Sequence, residues 1–432
     1  MNRFSPFKPA SLKSFLSLAL CVVALPLLAE AADKPAAAPT PTPVAASPTP
    51  AVSTIAPMAP SAAPGSSATG TSSPANLIIP QAPILAAKSW LLLNVTSNQI
   101  LTVGNPDARI EPASLTKLMT AYLSFKALRQ KSIALNTVVA VSPKAWKAEG
   151  SRMFIEPNRP VTVDELLHGM IIQSGNDASI ALAERVGTSE EQFAQMMNQQ
   201  AAALGMTNTH FMNATGLPDP QHFSTARDLS KIARAIQHDF PEYYPLYSEK
   251  QYRYNNINQP NRNHLLWKDP SVDGMKTGHT DSAGFCLIAS AKRGDQRLLS
   301  VVVGTDSESA RAAESEKLLN YGFQYFDTQR IHVAHAVMTK LPVYKAHSDL
   351  LEVGFREDLW LTLPKGDFAR YKEVFRPKAP LVAPIAAGAS VGTLDIVVDG
   401  KVVANFEAPS LIEVPTGNIL QRFWGSLRLM MP

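Results

Sequence analysis

The chain has 432 residues, of which 45% are hydrophobic and 18% are charged, and its formal net charge is +4. A chain of this length and composition can bury one large core and is expected to bury two. The excess of basic residues is small and dispersed, which argues against a nucleic-acid-binding protein.

Residues 1–31 show the pattern of a secretory signal peptide. The basic residues Arg3, Lys8 and Lys13 accompany an apolar stretch at 15–28 that is too short for a comfortable membrane span, and a small-residue cleavage pattern follows. We therefore predict that the protein is exported to the periplasmic face of the inner membrane. An uncleaved N-terminal membrane anchor is the alternative.

The cysteines predict no disulfide within the exported chain. Cys21 lies in the predicted signal peptide, and Leu20 before it is larger than the residue expected before a lipid-modified cysteine. Removal of the signal peptide leaves Cys286 as a single thiol.

Residues 32–85 consist almost entirely of Ala, Pro, Ser and Thr, with little charge and almost no aromatic content. Such a segment cannot bury enough apolar surface to offset the entropy of ordering. Frequent proline makes it extended and semi-stiff. We predict a disordered linker.

A folded domain is predicted for residues 86–328. It begins with two apolar runs, 89–95 and 99–103, that flank a Thr-Ser-Asn turn and predict a hairpin. Apolar residues at helical spacing follow Pro112, which suits the first turn of a helix.

Ser114 and Lys117 form a Ser-x-x-Lys motif at the start of this helix, where residues three apart share a face. A serine hydroxyl is a weak nucleophile until a base takes its proton, and a lysine can be that base only when its pKa is lowered. We expect burial and the positive charge of Lys276 to lower it. The N–H of Ser114 is a candidate donor to a developing oxyanion.

A second motif, Ser174-Gly175-Asn176, is predicted on a tight loop between two helices. The first helix begins at a capping box formed by Thr162 and Glu165, and the second covers about 178–186. The loop can project Ser174 and Asn176 into a cleft, although Ser-Gly-Asn is also a common turn.

The third motif, Lys276-Thr277-Gly278, precedes two strand-like runs at 285–291 and 298–303. We predict that it lies on an edge strand facing the cleft, where an extended peptide can pair with it. Lys276 and Thr277 can hold a carboxylate, and Gly278 leaves room for close approach. A helix at about 310–326 is expected to close the domain.

A small β-rich domain is predicted for residues 329–411, with a two-residue hairpin turn at Asp399-Gly400. His332 and His335 form an H-x-x-H pair, but no acidic third ligand accompanies them, so no metal site is predicted.

Residues 412–432 are predicted to contain an amphipathic helix. Its apolar residues include Phe423 and Trp424, and Arg422 and Arg428 lie among the remaining positions. We favour a helix in a membrane interface whose arginines meet anionic lipid. A terminal helix packed on its own β domain is the alternative.

The three motifs, with Asp177 after the second and Asp273 to Thr280 around the third, resemble the low-molecular-mass penicillin-binding proteins, and in particular their D-alanyl-D-alanine carboxypeptidase branch. The resemblance covers about 86–432 and leaves out the linker. It implies an α/β fold in which an antiparallel sheet is covered by helices on both faces, with an all-helical region that carries the second motif. A small all-β domain follows.

The resemblance implies that Ser114 is acylated by the penultimate D-alanine of a peptidoglycan stem peptide, that β-lactam antibiotics act as inhibitors, and that no cofactor takes part. By the same resemblance, Lys117 is the general base, and Ser174 and Asn176 position the substrate and relay protons. It also implies that Lys276, Thr277 and Gly278 form the far wall of the cleft and that the N–H groups of Ser114 and His279 form the oxyanion hole. Arg262 and Arg311 are implied to lie near the substrate carboxylate.

Three alternatives stay open at this point. A serine β-lactamase would share Ser114, Lys117 and the third motif, but here the middle motif reads Ser-Gly-Asn instead of Ser-Asp-Asn. A DD-endopeptidase would use the same acyl chemistry on a cross-link. A non-catalytic peptidoglycan-binding scaffold would have no physical need for the intact motif set.

Overall fold

The computed structural model describes residues 81–430. The predicted signal peptide with Cys21, residues 32–80 of the predicted linker, and the last two residues of the tail lie outside the described residues. Leu85, the last residue of the predicted linker, is buried in a core cluster.

The elements alternate between helices and strands up to residue 325 and are mainly strands after it. The helices are α1 (Lys117–Arg129), α2 (Pro143–Trp146), α3 (Val163–Ile172), α4 (Asn176–Gly187), α5 (Glu190–Ala203), α6 (Ala226–Asp239), α7 (Leu265–Lys268), α8 (Glu308–Tyr325) and α9 (Ile419–Met430). Short 3₁₀ helices cover Ala113–Thr116, Tyr244–Ser248 and Asp367–Ala369.

The strands of the first part are β1 (Ser89–Asn94), β2 (Gln99–Gly104), β3 (Val138–Val139), β4 (Val161–Thr162), β5 (Gln251–Tyr254), β6 (Ile257–Pro260), β7 (Val272–Thr280), β8 (Gly284–Arg293) and β9 (Gln296–Thr305). Those of the second part are β10 (Phe326–His332), β11 (Thr339–Pro342), β12 (Leu350–Val353), β13 (Leu359–Pro364), β14 (Tyr371–Pro377), β15 (Ser390–Val398) and β16 (Lys401–Pro409).

The central sheet has the order β2-β1-β9-β8-β7, and each neighbouring pair is antiparallel. Successive residues of a strand point to opposite faces. Leu91 and Leu93 accordingly belong to the core cluster that contains residues of α1, α3 and α6, whereas Leu92 belongs to the cluster that contains Leu318 and Phe323 of α8. The predicted sheet with helices on both faces is confirmed, and β7, which carries the third motif, is an edge strand.

The all-helical region carries the second motif between α3 and α4. The predicted capping box is present, since Thr162 Oγ1 accepts from the N–H of Glu165 and the Glu165 carboxylate accepts from the N–H of Thr162. The buried carboxylate of Asp177 accepts hydrogen bonds from the N–H groups of Met153 and Phe154 at 2.9 and 2.8 Å. This carboxylate fixes the loop that faces the second motif.

The second part is all-β apart from short helical turns and α9, and the hairpin β15–β16 turns at Asp399-Gly400 as predicted. Both turn residues have positive φ, 49° and 79°, as a two-residue hairpin turn requires. This part contacts the central sheet where Asn94 Nδ2 donates to Thr328 Oγ1 at 2.7 Å.

Helix α9 contacts the β-rich part through Gly425, where an added Cβ would lie 2.5 Å from the backbone nitrogen of Lys345. Its large apolar residues Ile419, Leu420, Phe423, Trp424 and Met430 are exposed. Within residues 81–430, no helix combines the length and apolar character needed to cross a membrane. His332 contacts Glu373 at 2.9 Å, and the described chain has no group of three side chains able to hold a metal ion.

Candidate active site

Ser114 lies on a tight 3₁₀ turn, Ala113–Thr116, and Lys117 is the first residue of α1, so the motif spans the junction of two helices instead of one regular helix. Ala113 has φ of 48°, a left-handed conformation that costs about 1–2 kcal/mol in a non-glycine residue. Gly216 lies against this turn, and a Cβ there would come within 1.8 Å of the Ala113 carbonyl oxygen. The turn is therefore held by its surroundings.

The amine of Lys117 is buried and has three acceptors. Its Nζ lies 3.0 Å from Ser114 Oγ, 2.7 Å from Asn176 Oδ1 and 2.7 Å from the carbonyl oxygen of Thr215. Because Asn176 Oδ1 and the Thr215 carbonyl oxygen hold two of its N–H groups, the amine points its remaining position at the hydroxyl of Ser114. This geometry suits proton transfer from Ser114 to Lys117.

The second and third motifs meet at a second buried amine. Lys276 Nζ donates to Ser174 Oγ at 2.8 Å and to the carbonyl oxygen of Thr277 at 3.0 Å. Ser174 has φ of 63°, a strained conformation for serine, and it lines the cleft. Asn176, two residues after Ser174, accepts a hydrogen bond from Lys117 and so links the second motif to the first.

Burial and, to a smaller extent, the positive charge of Arg262 lower the pKa of Lys117 to about 7. The carboxylates of Asp177 and Glu190 oppose this shift. A pKa near 7 leaves a large neutral fraction of Lys117 at neutral pH, as a general base requires.

Arg262 is a cation that the sequence did not indicate as a contributor to this shift. We expected the charge of Lys276 to lower the pKa of Lys117. Burial lowers the pKa of Lys276 well below its usual value, and the charge of Lys117 adds to this. Two buried amines near one another disfavour each other's charged form, so the charges of the two lysines oppose each other.

A cleft of about 260 Å³ brings the remaining predicted residues together. It is lined by Ser114, Ser174, Asn176, Arg262, Thr277, Gly278, His279 and Arg311, among others. Gly278 lies close to the nucleophile turn, since a Cβ there would come within 3.2 Å of the Pro112 carbonyl oxygen. A larger residue would push β7 away from Ser114.

The two arginines differ in their surroundings. Arg311 is buried and its guanidinium contacts Glu308 at 3.1 Å and the Gly278 carbonyl oxygen at 3.5 Å. Arg262 is exposed at the edge of the cleft, and its backbone carbonyl accepts from Arg311 at 3.4 Å. Arg262 thus has a freer guanidinium than Arg311.

Neither the acceptor on Thr215 nor the role of Glu190 follows from the sequence. Glu190 Oε1 accepts from the N–H of Ala214 at 3.0 Å and so fixes the segment whose next carbonyl receives the Lys117 amine. A backbone acceptor has no sequence signature.

Gly216→Ala is expected to destabilise the protein and to slow acylation of Ser114, because the new methyl group must displace the Ala113 carbonyl. We expect the free energy of unfolding to fall by more than about 2 kcal/mol, measured by denaturant unfolding. Gly205→Ala is a matched control: Gly205 has φ of +69°, and no atom of residues 81–430 lies within 4 Å of the added Cβ. It should cost about 1 kcal/mol from backbone strain alone. Equal losses in both variants would contradict the proposed packing.

Two family models match successive parts of the chain. Residues 76–307 match the family described as D-alanyl-D-alanine carboxypeptidase, and residues 326–416 match the penicillin-binding protein 5 C-terminal domain. The chain is 41% identical to the D-alanyl-D-alanine carboxypeptidase DacC of Escherichia coli over 352 residues, which cover 80% of this chain and 88% of the relative.

Two solved structures extend the comparison. Penicillin-binding protein 5 from Haemophilus influenzae matches with a TM-score of 0.74 and 39% identity, covering 77% of this chain and 98% of that one. Penicillin-binding protein D2 from Listeria monocytogenes, in its ampicillin-bound form, matches with a TM-score of 0.52 and 30% identity, covering 56% of this chain and 98% of that one.

Proposed function

The chain belongs to the D-alanyl-D-alanine carboxypeptidase family, and from this premise we propose how its residues carry out the reaction. The protein is a serine-type carboxypeptidase that binds penicillins and removes the terminal D-alanine from peptidoglycan stem peptides. The observation that carries the residue assignment is the contact of 3.0 Å between the buried amine of Lys117 and the hydroxyl of Ser114.

In the first half-reaction, Ser114 Oγ attacks the carbonyl carbon of the penultimate D-alanine while neutral Lys117 takes its proton. The N–H groups of Ser114 and His279 stabilise the negative oxygen of the tetrahedral intermediate. The C–N bond then breaks, and the proton that Lys117 took from Ser114 passes through the Ser174 hydroxyl to the leaving nitrogen, which leaves Lys117 neutral again. Lys276 holds the Ser174 hydroxyl in place at 2.8 Å.

The second half-reaction returns the enzyme to its starting state. Water attacks the ester on Ser114, and its proton passes to Lys117, which later returns a proton to the serine oxygen. Asn176 holds the Lys117 amine in place through both halves, because its Oδ1 accepts from Nζ at 2.7 Å and its Nδ2 donates to the Glu149 carbonyl.

The leaving D-alanine carries a carboxylate, and the far wall of the cleft offers positive charge and donors for it. Thr277 supplies a hydroxyl and Arg262 a freely placed guanidinium, while Arg311 fixes the β7 backbone and adds positive charge. Lys276 adds a donor, and Gly278 gives the substrate backbone room beside β7.

Intact-protein mass spectrometry tests the proposal. Incubation with a penicillin should give a persistent adduct on Ser114, and a pentapeptide should lose one D-alanine. Rapid turnover of the penicillin adduct would instead indicate a β-lactamase, and unmodified protein with both compounds would indicate a scaffold.

We also infer that the catalytic domain covers 86–328 and the β-rich domain 329–411. Residues 1–31 direct export, and residues 32–85 act as a spacer.

We infer that residues 412–432 place the protein on a membrane surface, and helix α9 supports this. Phe423 and Trp424 are 64% and 58% exposed, and Arg422 and Arg428 can meet anionic headgroups.

Replacing Phe423 and Trp424 together by serine is expected to lower the affinity for vesicles of phosphatidylglycerol and phosphatidylcholine by more than about tenfold, since each buried aromatic contributes about 1.5–3 kcal/mol. Sedimentation with vesicles measures this. Val402→Ser with Val403→Ser is the control, because these exposed residues lie on β16. Binding that survives the first pair of substitutions would place the membrane contact elsewhere.

A further inference from the structure

A second cavity, of about 360 Å³, lies beyond the end of β7, where Ser282 and Ala283 line it. Two chain segments border both spaces. Thr280 and Leu217 line the cleft, and Ser282 and Asp219, two residues further along, line the second cavity. The Glu111 carboxylate contacts a residue of each lining: it accepts from Ser282 Oγ of the second cavity at 2.5 Å and lies 3.5 Å from Thr280 Oγ1 of the cleft.

The direction of the substrate leads to this cavity. On the proposed function, the terminal carboxylate lies near Thr277 and the scissile carbonyl near Ser114 and Gly278. A peptide extended along the edge strand β7 then runs toward Thr280. Because extended residues are about 3.3 Å apart, the residue before the two D-alanines lies near the end of β7. Its side chain can reach the second cavity.

Two cationic side chains, Lys88 and Arg109, line the cavity and have N–H groups that could donate to a ligand. Lys88 Nζ donates to the Ser282 carbonyl at 2.9 Å, which uses one of its three donors. The guanidinium of Arg109 lies 3.7 Å from the centre of the Phe223 ring and donates to the Pro220 carbonyl at 2.9 Å. Stacking on Phe223 fixes the plane of this guanidinium, and most of its five donors remain for a ligand.

Two carboxylates complete the lining. Glu111 is held by the hydroxyl of Ser282, and Asp219 Oδ1 accepts from the N–H of Gln221 at 2.7 Å. His222 also lines the cavity, but burial lowers its pKa to about 4 and it is neutral at neutral pH. The charged groups are therefore two positive and two negative.

We propose that this cavity binds the side chain of the third stem-peptide residue and selects one that ends in both an ammonium and a carboxylate, as 2,6-diaminopimelate does, over one that ends in an amine alone, as lysine does. The carboxylate pairs with Lys88 and Arg109, and the ammonium with Glu111 and Asp219. The proposal rests on the proposed function, which sets the direction of the peptide.

The test compares two pentapeptides that differ only in the third residue, diaminopimelate or lysine, by the kcat/KM of D-alanine release. The wild-type enzyme should prefer the first by about tenfold, and Arg109→Gln should reduce this ratio by about fivefold, as expected for loss of a partly exposed ion pair. Arg330→Gln is the matched control: Arg330 also lies over an aromatic ring, Trp360, at 5.8 Å, and lies in the β-rich part. In Arg330→Gln, the ratio of kcat/KM for the two peptides should equal that of the wild type.

Equal kcat/KM for both peptides in the wild type, or an unchanged ratio in Arg109→Gln, would overturn the proposal. If Arg109→Gln fails to fold by circular dichroism, Lys88→Gln is measured instead, with the same expected fall in the ratio. Absence of penicillin labelling at Ser114 would reject the proposed function itself, so the two failures are distinguishable.

Discussion

Ser114→Ala is expected to abolish both D-alanine release and covalent labelling by penicillin while leaving the protein folded. Removal of the nucleophile should lower kcat by a factor of about 10⁴ or more. The side chain is only half-buried, and its hydroxyl has one described contact, with Lys117, so the free energy of unfolding should change by about 1 kcal/mol. Intact-protein mass spectrometry and thermal unfolding measure the two effects.

Ser248→Ala is the matched control for this variant. Ser248 is exposed, its hydroxyl donates to the Pro245 carbonyl at 2.7 Å, and it lies in a 3₁₀ helix outside the cleft. The Ser248→Ala variant should be labelled by penicillin at the wild-type rate. Labelling that persists in Ser114→Ala but disappears in Ser174→Ala would place the nucleophile on the second motif, where Lys276 contacts the hydroxyl.

Features that depend on neighbouring residues could be predicted from the sequence. The capping box of Thr162 and Glu165 and the turn at Asp399-Gly400 each need only a few adjacent residues and a fixed backbone geometry. The two-sided burial of β1 follows in the same way from its unbroken apolar run. The second motif lies on a loop between two helices and the third on an edge strand, as predicted, whereas Ser114 lies on a 3₁₀ turn just before α1 and not on that helix.

Features that depend on distant segments could not be predicted in the same way. The acceptor on Thr215 is a backbone carbonyl 98 residues from Lys117, and any residue type could supply it. Burial is the main cause of the lowered pKa of Lys117, and the charge of Arg262, 145 positions along the chain, adds to it without any signal in the sequence. The motif spacing indicates that two amines meet but not which of them keeps its charge.

The second large effect concerns pH. Because burial lowers the pKa of Lys117 to about 7, the rate of penicillin acylation should fall as the pH is lowered through that value. Only the neutral amine can accept the serine proton, so the rate should drop about tenfold for each further pH unit, or about 100-fold at pH 5. Stopped-flow measurement of acylation between pH 5 and 9 gives the midpoint.

Arg262→Gln should move this midpoint to higher pH. The positive charge of Arg262 disfavours the ammonium form of Lys117, and its removal lets that form persist as the pH rises. Weaker binding of the substrate carboxylate lowers the rate at every pH but does not move the midpoint, so the two effects separate. Arg253→Gln, an exposed arginine on β5, should leave the midpoint unchanged. A midpoint unmoved in Arg262→Gln as well would mean that burial alone sets the pKa of the base, and that Arg262 serves only the substrate.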